Sequence, residues 1–273
     1  MMYMGTTERM AWVKCPAIDA DISKVKWSAE GVFLNGGAFV RSSSAAHKRY
    51  QFSWNLATQE DIYDVLNYAD GLFGDGLIYF LDPFARTTNV LPAHWAAPRL
   101  QAVDAPPLTI EARPTLAATA SNTFGYPTMS AVYTIGAGST FSTLWIPLPS
   151  GYTMNLGFHG SATGTAAMTY TTDGGSPVDM TPITVTSSVL CNTTVTGTTG
   201  VTLSAGGVGQ ITLSGAVVQV LAPGETASTG NFISGRGHSG CRFVGAPAVR
   251  GYSSALDKIA ASAVLVETGA WEQ

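Results

Sequence analysis

Between Arg113 and Arg236 the chain runs for 122 residues without a lysine or arginine, and only Asp173, Asp179 and Glu225 carry charge there. The other 29 of the 32 charged residues fall in the remaining 151. A composition step this sharp at both ends predicts two folded units: residues 1–113 joined by 236–273, and 114–235 on its own. The middle is dense in Thr, Ser, Gly and Ala, and five of the six tryptophans (Trp12, Trp27, Trp54, Trp95 and Trp271) lie outside it. The middle therefore reads as an insertion, and the tail as a return to the first unit.

With 45% hydrophobic and 12% charged residues over 273 positions, the chain has ample material for a core and too little charge for disorder. A net charge of −4 argues against a nucleic-acid partner. No apolar run approaches the ~18–20 residues of a membrane span, so no membrane insertion is expected. Residues 1–15 lack the basic flank and apolar block of a signal peptide, which points to synthesis in the cytoplasm. Cys15, Cys191 and Cys241 are too few and too far apart for a disulfide framework or a zinc site.

In the first unit, residues 32–34 and 38–40 flank the turn signal Asn35-Gly36-Gly37. Residues 48–54 alternate strictly, with Tyr50, Phe52 and Trp54 on one face and Arg49, Gln51 and Ser53 on the other. That is an antiparallel strand with one wet face. One helix follows. Thr58 and Asp61 form a capping-box pattern, Ile62, Val65, Leu66 and Ala69 make an apolar stripe, and Gly71 supplies the stop. Residues 77–81 read as a short buried strand, and Pro92, Pro98, Pro106, Pro107 and Pro114 punctuate an extended connector.

The middle reads as all-β, with strands expected at 142–147, 152–162, 166–172, 183–189, 201–203 and 210–221. Asp173-Gly174 is the clearest hairpin turn, and the spacing suggests a sandwich or jelly roll. In the tail, residues 259–266 are mostly apolar on both faces, which predicts a strand buried on both sides, with a short helix over 256–262 as the alternative.

The search for chemistry returns little. Gly237-His238-Ser239-Gly240-Cys241 has the outline of a serine-nucleophile turn. Cys241, however, stands where the last glycine of GxSxG belongs, and a glycine-rich loop is the simpler reading. His47, His94, His159 and His238 lack metal-ligand spacing. Asp19 and Asp21 would share one face of a strand, but no glycine-turned calcium loop accompanies them. Three acids in the middle are a poor basis for the paired carboxylates of a glycosidase. Gly206-Gly207-Val208-Gly209 lacks the strand and helix of a dinucleotide site. No catalytic residue, cofactor site or metal site emerges.

Several short segments occur in order along the chain. They are Leu34-Asn35-Gly36-Gly37-Ala38-Phe39-Val40, Tyr79-Phe80-Leu81-Asp82-Pro83-Phe84 and Asn89-Val90-Leu91-Pro92-Ala93-His94-Trp95. Phe232-Ile233-Ser234-Gly235 with Gly237-His238-Ser239-Gly240-Cys241 follows, and Leu265-Val266-Glu267-Thr268-Gly269-Ala270-Trp271 comes last. Together they resemble the minor tail proteins of long-tailed bacteriophages that infect actinobacteria, over nearly the whole chain. The organisation also resembles distal tail proteins. The resemblance implies a mainly β fold: a distal-tail-like β-sandwich domain with one helix, plus an inserted or outer β-sandwich of galectin or jelly-roll type. Unlike a distal tail protein, this chain is expected to return to its first domain.

The implied function is that of a virion structural protein at the tail tip, without enzymatic activity. It would form a homo-oligomeric, hexameric ring joining the tail tube to the tip complex, in contact with the tube and other tail-tip proteins. Such a ring uses heterologous contacts, and permanent interfaces resemble split cores, which suits an apolar chain with little charge. The alternative is a tail-tip carbohydrate-binding module that recognises the host cell wall. Tyr126, Tyr133, Trp145, Tyr152 and Tyr170 are its candidate glycan contacts, because sugar rings stack on exposed aromatics. An exposed coplanar pair among them favours binding, and burial favours a structural role.

Overall fold

The computed structural model describes residues 1–17, 21–25, 28–32, 38–42, 47–74, 76–96, 115–118, 129–137, 144–183, 190–228, 235–253 and 258–268. The Asn35-Gly36-Gly37 turn, Tyr126, Trp27, Trp271 and all but the first residue of the strand expected at 183–189 lie outside these. The fold is mainly β, in several antiparallel sheets. In chain order the first elements are β1 (Met2–Gly5), β2 (Met10–Val13), β3 (Asp21–Val25), β4 (Ser28–Val32), β5 (Ala38–Ser42), β6 (His47–Ala57), α1 (Gln59–Ala69), β7 (Tyr79–Phe80) and the single turn α2 (Ala93–Ala96). The middle adds β8 (Thr115–Ala118), β9 (Met129–Ile135), β10 (Leu144–Pro147), β11 (Thr153–Gly164), β12 (Ala167–Thr172), β13 (Val178–Met180), β14 (Thr193–Thr196), β15 (Gly200–Gly206) and β16 (Gly209–Leu221). The tail supplies β17 (Cys241–Phe243), β18 (Ala248–Ser253) and β19 (Lys258–Glu267).

The alternation of β6 is realised as expected. Tyr50, Phe52 and Trp54 are buried and stack along one face, while Arg49 and Gln51 are exposed. The helix cap is complete: Asp61 N–H donates to Thr58 Oγ1 at 3.2 Å, and Thr58 N–H donates to Asp61 Oδ2 at 2.8 Å. At the other end Gly71 adopts φ 71°. Leu72 N–H bonds the Asn67 carbonyl and Gly71 N–H the Tyr68 carbonyl, the paired pattern of a Schellman stop. Ile62, Val65 and Tyr68 form the buried stripe, with Leu66 and Ala69 half-buried at its margin.

The tail strand β19 lies between β6 on one side and β17 and β18 on the other, and β6 also carries β3. The expectation that β19 is buried on both faces is corrected. Ala261, Ala263, Leu265 and Glu267 are buried, whereas Ser262, Val264 and Val266 are half-exposed. The helix and its core cover one face of this sheet; the other face keeps contact with solvent.

The middle forms a sandwich of two sheets, β10-β15-β12-β13 and β14-β11-β16-β9-β8. Its core comes from alternate residues: Met154, Leu156 and Phe158 on β11, Val201 and Leu203 on β15, Ile211 and Leu213 on β16. A bulge then resets the alternation. His159 pairs with Gly215 and Gly160 with Leu213, leaving Ser214 as the extra residue, and from there Ala216, Val218 and Val220 are the ones in the core. Ser214 ties to β9 through its hydroxyl, 2.9 Å from Ser130 Oγ.

Beyond that bulge β16 parts from β9, whose pairing stops at Leu213. Residues 86–91, from before Pro114, occupy the edge so opened. Val220 N–H bonds the Arg86 carbonyl at 2.6 Å, and Val90 N–H bonds the Val218 carbonyl at 2.9 Å. Asn89, fully buried, acts as a substitute peptide: its Nδ2 donates to the Ala216 carbonyl at 3.0 Å, and its Oδ1 accepts from the N–H of Val218 and of Leu91, each at 3.2 Å. Leu81, Ala85, Val90, Leu91 and Trp95 join the core of the sandwich. Replacing Asn89 by Ala strands an acceptor and a donor of β16 in the interior. The expected loss is about 2–4 kcal/mol of unfolding free energy, measured by chemical denaturation.

Candidate functional site

The Gly237-His238-Ser239-Gly240-Cys241 segment sits where four parts of the chain meet: the start of β6, the β7 strand, residues 89–91 and the end of β19. Its glycines are there for close approach. A Cβ on Gly237 would fall 1.5 Å from the Val90 carbonyl oxygen, and one on Gly235 would fall 2.0 Å from that of Leu91. The backbones are paired at these points, Arg236 N–H to the Asn89 carbonyl and Gly237 N–H to the Leu91 carbonyl, both at 3.1 Å.

His238 is buried, its ring over Phe80 with centroids 4.1 Å apart and T-shaped to Tyr50 at 5.7 Å. Its Nδ1 accepts the N–H of Gly240 at 3.3 Å, which leaves Nε2 as the protonated nitrogen, donating to the Phe80 carbonyl at 3.0 Å. Burial, and then the positive charge of Lys48, lower the His238 pKa to about 3, so the ring is neutral at ordinary pH. The Ser239 hydroxyl donates to the Thr268 carbonyl at 2.7 Å. The buried Glu267 carboxylate accepts the N–H of Ser239 at 3.0 Å and that of Lys48 at 3.2 Å. The Lys48 ammonium donates to the carbonyls of Gly237, at 2.6 Å, and Arg236. Burial, with Glu267 nearby, pushes the Cys241 thiol well up. The polar atoms of this segment thus bond mostly to backbone, and the thiol and imidazole are held in their neutral forms.

Beside it lies a small cleft, with about 10 Å³ of room, lined by Phe80, Leu81, Asp82, Val90, Trp145, Ile146, Pro147, Gly237 and His238. Its one carboxylate, Asp82, accepts Phe84 N–H at 2.9 Å and is shifted upward by burial. The imidazole and carboxylate of this cleft brace their own backbone, and the remaining lining is apolar.

The aromatic candidates are dispersed. Tyr133 is completely buried in the sandwich core, and Tyr170 is half-buried against it. Trp145 lies on the outer face of the β10-β15-β12-β13 sheet, laid across Gly200, where a Cβ would meet its ring at 2.0 Å. Tyr79 of β7 covers that ring edge-on with centroids 4.8 Å apart, and Trp145 Nε1 donates to Asp173 Oδ1 at 3.3 Å. Tyr152 packs on Trp12 of β2 with centroids 5.7 Å apart, and Trp12 packs on Tyr3 at 5.1 Å. Trp145 and Tyr152 therefore join the sandwich to the N-terminal sheet. The Trp12–Tyr152 pair is partly exposed but tilted by 43°.

His159 is buried at the β11 bulge with Nε2 3.0 Å from the Leu190 carbonyl oxygen, and burial lowers its pKa. Among the described residues, no group of three or more His, Cys, Asp or Glu side chains could hold a metal ion, and no helix is long and apolar enough to cross a membrane. No family model matches the chain, and neither does any curated protein or solved structure. Lys48, Asn89 and Glu267 are the residues here that the sequence does not single out. The only local signal is the glycine pair around Arg236, which marks a close backbone approach without naming its partner.

Two outcomes follow from this geometry. The folded ring of His238 resists protonation down to about pH 3, while the unfolded ring takes up a proton near 6.5. Its contribution to stability is therefore complete above pH 6.5 and declines as the pH falls, by about 1.4 kcal/mol per unit. His238→Gln should flatten the fall in unfolding free energy between pH 7 and 5 by about 2 kcal/mol, the difference between the two proteins cancelling the carboxylates. In native protein a thiol reagent should modify the exposed Cys15 first and leave the buried Cys241 untouched until unfolding, as peptide mass mapping reads directly.

Proposed function

We propose that the chain is a non-catalytic virion structural protein of a bacteriophage tail tip, forming a homo-oligomeric ring between the tail tube and the tip complex, with partners in both. The tail tip of the virion is then its location. The ordered segments quoted above are the basis for the family reading, and the edges of the β6–β19 sheet are the observation that best supports a ring.

That sheet ends in β18 on one side and β3 on the other, and among the described residues neither outer edge is paired with a further strand. Each neighbouring pair across the series β18, β19, β6, β3 is antiparallel. With four strands in the series, the two edges run in opposite directions. A second copy turned about an axis along the strands would set its β3 antiparallel beside β18, making a heterologous contact that repeats until the ring closes. Ile22 on β3 and Val249 on β18 are both exposed at these edges. Of the eleven large apolar side chains exposed among the described residues, only Val178 and Val208 belong to the sandwich. Uncovered apolar surface is thus concentrated on the unit that would assemble.

The glycan-binding alternative draws less support. Two of its five aromatics join the two units, one is core, and the partly exposed Trp12–Tyr152 pair is not coplanar. Native mass measurement and electron microscopy of the full chain at micromolar concentration test the ring directly. Closed rings are expected, and Ile22→Lys with Val249→Lys should dissolve them while leaving the monomer folded, as circular dichroism reads, because lysine on an edge strand blocks pairing without disturbing a core. A chain that stays monomeric, or rings indifferent to both lysines, would sink this assembly mode.

A further inference from the structure

We infer that the sandwich is carried as a fixed extension of the N-terminal sheet unit rather than as a swinging arm, with residues 86–91 as the strap that holds it. Three separate attachments carry this. The first is the strap itself, completing β16 through main-chain bonds at Arg86 and Val90 and through the Asn89 amide. Its leading end is pinned: the Arg86 guanidinium makes a two-pronged ion pair with Glu225, and the buried Gln219 amide donates to the Thr87 carbonyl at 3.2 Å.

The second attachment lies on the opposite sheet of the sandwich, where Trp145 is held between Gly200 and Tyr79. The third is the packing of Tyr152 on Trp12. The strap is in turn paired on its far side with Arg236 and Gly237, whose carbonyls hold the Lys48 ammonium of β6. A hydrogen-bonded path therefore crosses from β16 through the strap and residues 236–237 to the Lys48 side chain of β6. The attachments lie on both sheets of the sandwich, and a swing that frees the strap has to strip buried main-chain groups of β16 of their partners as it starts.

The inference does not depend on the ring. If the chain does assemble, each sandwich stands at a set angle to the ring and acts as a spacer.

Spin labels on Cys introduced at Tyr63, exposed on α1, and Val178, exposed on β13, test it in the full chain, with Cys15→Ser and Cys191→Ser removing other accessible thiols. Dilution with unlabelled protein restricts the dipolar signal to pairs within one chain, whether the sample is ring or monomer. A single narrow distance distribution is expected, shifted and broadened by Asn89→Ala and by the milder Arg86→Ala. A broad or multiple distribution with the attachments intact overturns the inference, whether or not the variants fold. So does a narrow one that neither substitution changes. Native mass of the same sample reports the ring separately, so a monomer with a narrow distribution counts against the ring and for the fixed sandwich.

Discussion

Beyond its bulge β16 keeps β11 on one edge, but the edge that β9 leaves presents buried backbone donors and acceptors, and the fold is organised around supplying their partners. Residues 86–91 do so, with the Asn89 amide standing in for a peptide group where the strap is out of step with the strand. A buried unpaired backbone group costs as much as several ordinary contacts gain. The strap must therefore lie flat on β16, and its outer side needs a partner of its own. That partner is 236–237, which can approach only because Gly235 and Gly237 carry no side chain. The return of the chain to the first unit is then fixed at its entry point, with Lys48 closing the exposed carbonyls and β19 laid against β6 beyond it.

The same logic accounts for a sandwich that folds with three charged residues. Hydroxyls take the roles that charges have elsewhere: Ser130 with Ser214, Thr169 with Ser204, Thr165 with Val208. Of the three acids, Asp173 accepts from the Trp145 ring and Glu225 pairs with Arg86, which belongs to the strap. Two of the three thus work where the sandwich meets the first unit. The charge step in the sequence marks a real change of chemistry, and the few charges left inside it cluster where that change occurs.

How much of this the sequence shows depends on how local the cause is. The helix was legible because its cap, stripe and stop lie within fourteen residues, and β6 because its alternation repeats without interruption. Asn89 was not, since an asparagine ahead of Leu91-Pro92 looks like any turn residue, and its partners are about 130 positions away. Trp145 reads as a candidate sugar platform for the same reason: the bare backbone under it is Gly200 and the ring over it is Tyr79, neither of them near in sequence. The outward face of β19 misleads differently. Val264 and Val266 look like core residues by composition, but only one face of their sheet is covered by the helix and its core.

A serine, a histidine and a cysteine within four residues suggest a nucleophile, and the geometry gives each of them a structural role at this point of the fold. The segment crosses the junction of two units, so its backbone meets carbonyls and amides that regular pairing cannot reach. Small polar side chains with short reach, and an imidazole with one donor and one acceptor, match isolated backbone groups better than larger side chains do. His238 uses one nitrogen for each kind of group, Phe80 on one side and Gly240 on the other. Reactivity would require one of these commitments to be released into the cleft, against the burial that keeps the ring neutral. The features that make the segment look catalytic are thus also the ones that bond it into the seam between the two units.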